Sequence, residues 1–147
     1  MTETDYLIQR ALRTIDIEQR AIGALMSRID DSFAQACALI LACEGRVVVL
    51  GMGKSGLIGR KIAATLSSTG SPAMFVHPGE ASHGDLGMIT DKDVVIAISY
   101  SGTASEILTL LPILKRKGIP IISLTGNKES PLATVADVHL DGSVEEE

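Results

Sequence analysis

The chain has 147 residues, 46% of them apolar and 21% charged, with a formal net charge of −5. Its length suits one domain that buries roughly 70% of its unfolded surface, and two Phe, two Tyr and no Trp make the core aliphatic. The negative balance excludes a general electrostatic pull on nucleic acid, so any phosphate has to be held by local geometry.

The first 45 residues read as helix. Ile8, Leu12, Ile15, Ile22, Leu25 and Ile29 recur at three, four or seven, with charges on the other face. Asp30 and Asp31 look like a turn and N-cap, Phe33, Cys37, Ile40 and Leu41 form a second stripe, and Gly45 is expected as a C-cap. Cys37 and Cys43 have neither a disulfide framework nor a metal spacing, and read as small core hydrophobes in a reducing compartment. The longest apolar run, 36–43, is too short to span a membrane. The opening T-E-T-D-Y is not a signal peptide, so a soluble cytoplasmic protein with no membrane partner is expected.

From Arg46 the pattern changes. V-V-V-L (47–50) is a continuous β-branched run of the kind buried on both faces, and segments 73–76, 94–98, 119–124 and 137–140 repeat the theme with helical stretches between several of them. This predicts an α/β fold: five parallel strands in a doubly wound, flavodoxin-like sheet of order 2-1-3-4-5, with helices on both faces. Residues 1–45 are then a helical segment for packing or a subunit interface, and 46–147 the α/β domain.

In such sheets ligands bind outside the carboxyl ends of the strands. Those positions are 51–56, 77–85, 99–106, 125–127 and the acidic end at Glu147. The first, G-M-G-K-S-G, permits close backbone approach at Gly53 and adds the Lys54 cation and the Ser55 hydroxyl at a helix N-terminus. It matches a dinucleotide fingerprint literally, but His77 stands where the ribose-binding acid belongs, and a plain tight turn is the bland alternative. The third, S-Y-S-G-T-A-S-E, gathers Ser99, Ser101, Gly102, Thr103 and Ser105 at a strand-to-helix junction, where hydroxyls and free amides can wrap a phosphate. Thr103 to Glu106 also spells a capping box, so Glu106 reads as a cap, an active-site carboxylate, or both.

The second loop, 77–87, carries His77, Glu80, His83 and Asp85. Histidine titrates near neutrality and suits sugar ring opening or proton movement. H-x5-H is not a dependable ligand spacing, so no metal is assigned. Thr125 frames the pocket or serves its own turn. His139, inside the last strand, is expected to be a satisfied structural histidine. K-R-K-G (115–118) ends a helix, and no ligand is assigned to it.

These three loops, in this order, resemble those of the sugar isomerase (SIS) domain. More narrowly they resemble D-arabinose 5-phosphate isomerases of the 3-deoxy-D-manno-octulosonate pathway, from about Gly45 to Glu147, with H-P-G-E-A-S-H-G-D-L-G the most specific stretch. The resemblance implies cofactor-free conversion of D-ribulose 5-phosphate and D-arabinose 5-phosphate through an enediol, in a homotetramer. It implies catalytic roles for Lys54, His83, Glu106 and Glu147, and contacts to the sugar phosphate near Ser55, Ser99 and Ser101. Glu147 is the expected base, since related isomerases place theirs at the start of the helix after strand five, and Glu106 is the second candidate. His83 would move ring or oxygen protons, and Lys54 would steady the enediolate or phosphate. Ala104 departs from the family by lacking a hydroxyl, and the chain stops at E-E-E where the family continues into a further helix, another histidine and paired CBS modules.

Three other readings compete. A non-catalytic sugar-phosphate-binding module would keep the serine loop without needing Glu106, His83 and Glu147 together. An isomerase of hexulose or amino-sugar phosphates would not need the 77–87 loop in this form. A nicotinamide oxidoreductase lacks its ribose-binding acid.

Overall fold

The computed structural model describes residues 2–146. Strands β1 (Val47–Gly51), β2 (Ala73–Val76), β3 (Val94–Ile98), β4 (Ile121–Thr125) and β5 (Val138–Asp141) form one parallel sheet in the expected order β2-β1-β3-β4-β5. Every residue of β1 is buried, as a β-branched run covered on both faces should be. Gly51 pairs with Ile98 and Leu50 with Val76. The chain leaves β1 outward to β2, then returns across β1 to β3, so the loops after β1 and β3 diverge at a topological switch point.

Around the sheet lie α2 (Asp31–Leu41), α3 (Gly53–Ser68), α4 (Pro78–Ala81), α5 (Ser105–Arg116) and α6 (Pro131–Val135). The period-two alternation of the strands sorts their side chains. Val48, Leu50, Val95, Ala97 and Ile121 pack with Ala81 of α4, Ile107, Leu110 and Leu114 of α5, and Leu132 of α6. Val47, Val49, Val94, Ile122 and Val138 pack with Ala36 of α2 and Ala63 of α3. Leu50 and Leu114 are fully enclosed, and truncating either to Ala costs about 2–5 kcal/mol.

Two aspartates hold the amino ends of the strands. Asp93 accepts the Arg46 amide at 2.7 Å and the Thr90 amide at 2.8 Å. Asp137 accepts the Ile121 amide at 2.8 Å and pairs with Lys115 at 2.8 Å. Here the structure corrects the reading of Gly45. It lies beyond the end of α2 with no positive φ; its amide donates to the Lys92 carbonyl at 2.8 Å, and a Cβ would collide with Asp93. Close backbone approach is what needs glycine there, not a helix cap.

The chain divides into two compact units, one of the residues up to Asp30 with those from Val144, the other Asp31–Ser143. The second holds the sheet, and α2 belongs to it: Leu39, Ile40 and Cys43 pack beside Ala36. The first holds α1 (Glu3–Leu25), opened by a capping box in which Thr2 and Asp5 satisfy each other's amides. Within that unit Arg13 meets Glu146 at 2.7 Å, and Ile8, Leu12, Ile15 and Ile22 are each more than half exposed. Among the described residues no helix is long and apolar enough to cross a membrane.

Candidate functional site

The loop after β3 is stabilised by its own hydroxyls. The Gly102 amide donates to both the carbonyl (3.0 Å) and the Oγ (3.2 Å) of Ser99, and the Thr103 amide donates to Ser101 Oγ at 3.2 Å. Ser101 Oγ and Thr103 Oγ1 are 2.8 Å apart. The serine oxygens thus accept from the loop, which leaves the Ser99 proton and one proton of the Ser101–Thr103 pair as donors to an incoming anion. Ser101 and Thr103 are exposed, whereas Ser99 is buried. Gly102 has φ 66°, and a Cβ on it would collide with Ser130.

The capping box spelled by Thr103 and Glu106 does not form. α5 begins at Ser105 with Ala104, which has no side chain to cap with, at the N-cap position; Thr103 lies one residue ahead of it and its hydroxyl pairs with Ser101. α3 likewise follows Met52 without a side-chain cap, whereas Thr2, His77 and Ser130 cap α1, α4 and α6. The two uncapped helices flank the switch point. In α3 the first-turn amides have no acceptor inside the helix and carry the positive end of the dipole, whereas in α5 the Glu106 amide meets its own carboxylate and the Ile107 amide donates to the Ala104 carbonyl at 3.1 Å. At α3 this turn contains Gly53 (φ 53°), exposed Lys54 and half-buried Ser55. A Cβ on Gly53 would meet nothing, while one on Gly51 would strike the backbone of Ser55. Tight closure of this turn rests on Gly51.

Glu106 stands exposed in the first turn of α5 and accepts the Ser105 hydroxyl at 3.0 Å. Its own amide first, then that hydroxyl, and more weakly the charge of His77 hold its carboxyl below the ordinary glutamate range. His77 ends β2, and its Nδ1 accepts the Gly79 amide at 3.2 Å. His83 lies in the exposed turn after α4 and makes no side-chain hydrogen bond to the other candidates among the described residues. Among the described residues no three His, Cys, Asp or Glu side chains gather as metal ligands would.

Thr125 is buried, and its hydroxyl both donates to the Asn127 carbonyl (2.9 Å) and accepts the Asn127 amide (3.0 Å), so its chemistry is taken up by its own turn. The expected satisfied His139 is only half so. Its Nδ1 lies 3.0 Å from Ser123 Oγ, while Nε2 is buried without a partner among the described residues. Glu147 lies outside the described residues. Sequence reading missed Ser130 and the Tyr100–Gly126 contact. Ser130 is buried against Gly102, while the Tyr100 ring covers Gly126 and the Tyr100 carbonyl accepts the Gly126 amide at 2.8 Å. The Ser-Pro pair at 130–131, an N-cap followed by proline at the first helical position, was the available signal.

The fold and loops define a doubly wound α/β domain with a hydroxyl-rich loop at its switch point. The chain belongs to the SIS domain family, whose model matches residues 40–147. It is 60% identical over its full length to the arabinose 5-phosphate isomerase KdsD of Pseudomonas aeruginosa, covering 45% of that protein. With the KdsD of Yersinia pestis it shares 54% identity over 139 residues, 42% of that protein. The chain thus spans less than half the length of these relatives. A protein of E. coli CFT073 solved in complex with arabinose 5-phosphate superposes with a TM-score of 0.92 at 44% identity, over all of this chain and 78% of that one.

Proposed function

We propose that this chain is the sugar-phosphate-handling part of an aldose–ketose isomerase that interconverts D-arabinose 5-phosphate and D-ribulose 5-phosphate without a cofactor. The observation that carries the reading is the loop Ser99–Thr103, which ends at an uncapped helix whose first turn bears an ionised carboxylate, Glu106. The likeness to arabinose 5-phosphate isomerases over the whole chain supports it.

On this reading the phosphate sits on the Ser99, Ser101 and Thr103 hydroxyls and the amides around Gly102, with Gly53, Ser55, His77 and Thr125 completing the surroundings. His83 opens the sugar ring. A carboxylate then takes the proton from C2 of the aldose while O1 is protonated, giving the enediol. Loss of the O2 proton and return of a proton to C1 give the ketose. Glu147 is the first candidate for this base and Glu106 the second. Lys54, at the start of α3, offsets the negative charge that develops on oxygen.

The whole protein would serve 3-deoxy-D-manno-octulosonate synthesis in the cytoplasm as a homotetramer, with α1 as helical interface material and the sheet unit, to which α2 belongs, as the catalytic domain. The exposed apolar stripe of α1 supports self-association. The test is turnover by the parent protein of D-arabinose 5-phosphate against hexose and amino-sugar phosphates. Selective conversion of the pentose phosphate is expected. Binding of the sugar phosphates with no conversion of any would instead establish a binding module.

A further inference from the structure

The turn that carries His83 is fastened at both ends. It follows α4, whose Ala81 is buried, and the His83 and Gly84 amides donate to the Glu80 and Ala81 carbonyls at 2.9 and 3.3 Å. Beyond it come a single 3₁₀ turn, Asp85–Met88, and then Ile89, which is fully buried. A helix end leaves its last carbonyls short of donors, and here two basic side chains supply them. Lys117, the residue after α5, donates from Nζ to the Ile89 carbonyl at 2.9 Å and to that of Leu86 at 3.4 Å. Arg46, just ahead of β1, donates from Nη2 to the Met88 carbonyl at 3.0 Å. Its own amide is tied to Asp93, which also accepts the Thr90 amide. Lys115, two residues before Lys117, pairs with Asp137 instead.

We propose that Lys117 and Arg46 are positioning residues for His83: by holding the carbonyls of Leu86, Met88 and Ile89 they fix the turn from which His83 meets the sugar. The inference rests on the reading of His83 as the residue that opens the sugar ring. Apolar packing alone does not fix this span, because between Ala81 and Ile89 only Leu86 is half-buried and the rest is exposed. Gly84 (φ 143°) and Gly87 carry no side chain, and a Cβ on either would meet nothing. Hydrogen bonds from cations to carbonyls are stronger than those between neutral groups, so they dominate where packing is thin. The path from them to His83 is continuous. The Ile89 amide returns to the Leu86 carbonyl at 3.2 Å, and the Gly87 amide donates at 3.1 Å to the carbonyl of Gly84, which follows His83. α5 thus starts beside the Ser99–Thr103 loop, and the residue after its other end holds the His83 turn.

Methionine keeps the length of the lysine stem and removes the cation. The experiment uses the full-length parent protein and compares wild type, Lys117→Met, Lys117→Arg, Arg46→Met and His83→Asn, with Lys117→Met also placed in the His83→Asn chain. The readouts are thermal melting, kcat and KM for D-arabinose 5-phosphate, and amide hydrogen exchange at residues 83–89 against that of β1. Lys117→Met and Arg46→Met should melt close to wild type. Exchange at 83–89 should quicken by about tenfold while β1 keeps its protection. Their kcat should fall by about tenfold, with KM changed by less than about twofold, because a misplaced catalytic group costs rate more than binding. Lys117→Arg, which keeps a cation, should recover most of the rate. In the His83→Asn chain Lys117→Met should cost nothing further, since a residue that acts through His83 has no effect without it. An equal loss of kcat with and without His83, or unchanged exchange at 83–89, would overturn the proposal. If wild type converts no sugar phosphate, or His83→Asn matches wild type, the functional reading of the site fails by itself, and hydrogen exchange still decides whether the two cations hold the turn.

Discussion

The Ser130 side chain occupies the space in which a Cβ on Gly102 would stand. Gly102 also has φ 66°, and its carbonyl accepts the Leu132 amide at 3.2 Å. Steric fit and backbone strain therefore act at one residue, and both bear on the loop that holds Ser99, Ser101 and Thr103.

Gly102→Ala should destabilise the protein by about 1–3 kcal/mol through strain alone, with the collision against Ser130 adding to this. It should also weaken sugar-phosphate binding. Gly53→Ala is the control: it shares a positive φ but meets open space, so it should cost about 1 kcal/mol. Urea denaturation of the two variants checks the difference, and calorimetric titration with D-arabinose 5-phosphate checks the binding.

Ser101 is exposed and Ser99 is buried, so their alanine variants should separate. Ser101→Ala should change stability by less than about 0.5 kcal/mol. Loss of a charge-assisted hydrogen bond should weaken phosphate binding about tenfold. Ser99→Ala should lower both, because the Gly102 amide loses one of its acceptors. Equal loss of stability in the two variants would count against a loop that holds itself together through Ser99.

Glu106→Gln should fold normally and lose about 10²–10⁴-fold in kcat if Glu106 moves a proton. Its carboxyl lies below the ordinary glutamate range, so it is still ionised at pH values where a typical glutamate is half protonated. Any acid limb that it sets in kcat/KM should consequently fall below that range. A limb above it would assign the step to another group.

Stability should fall with acid in two windows. Burial first, opposed only by Asp141, holds His139 below its usual value of 6.5. The unfolded chain then binds the extra proton first, so this contribution is present above pH 6.5 and is lost as pH falls through the folded value. At Asp137 burial raises the carboxyl, but the Lys115 ammonium and the Ile121 amide outweigh it and the net shift is below 3.8. Its contribution is present above that value and lost as pH falls through the folded one. Denaturation midpoints across pH for wild type, His139→Gln and Asp137→Asn should show each substitution flattening its own window.

The sheet was legible because its strands are short apolar runs bounded by turn residues, which leave little choice but a parallel sheet covered on both faces. The positions of Ser99, Ser101 and Glu106 followed from that topology, since they come directly after a strand. Less legible were features that depend on which of several acceptors a group chooses. Thr103 could cap α5 or bond Ser101, and the helix, with its N-cap at Ala104, leaves it with Ser101. Gly45 carried a helix-cap signature, but Asp93, 48 residues later, determines why it is glycine. His77 and Ser130 cap helices of four and five residues, too short for a periodic pattern to announce.

Solvent exchange decides whether the protein performs enediol chemistry on a pentose phosphate. The parent protein is incubated with D-arabinose 5-phosphate in D₂O while ketose formation and deuterium at C1 and C2 are followed by NMR. Conversion to D-ribulose 5-phosphate is expected, with deuterium entering as the carboxylate exchanges its proton with solvent. Saturated binding of the sugar phosphate, with neither conversion nor deuterium uptake, would contradict the isomerase reading.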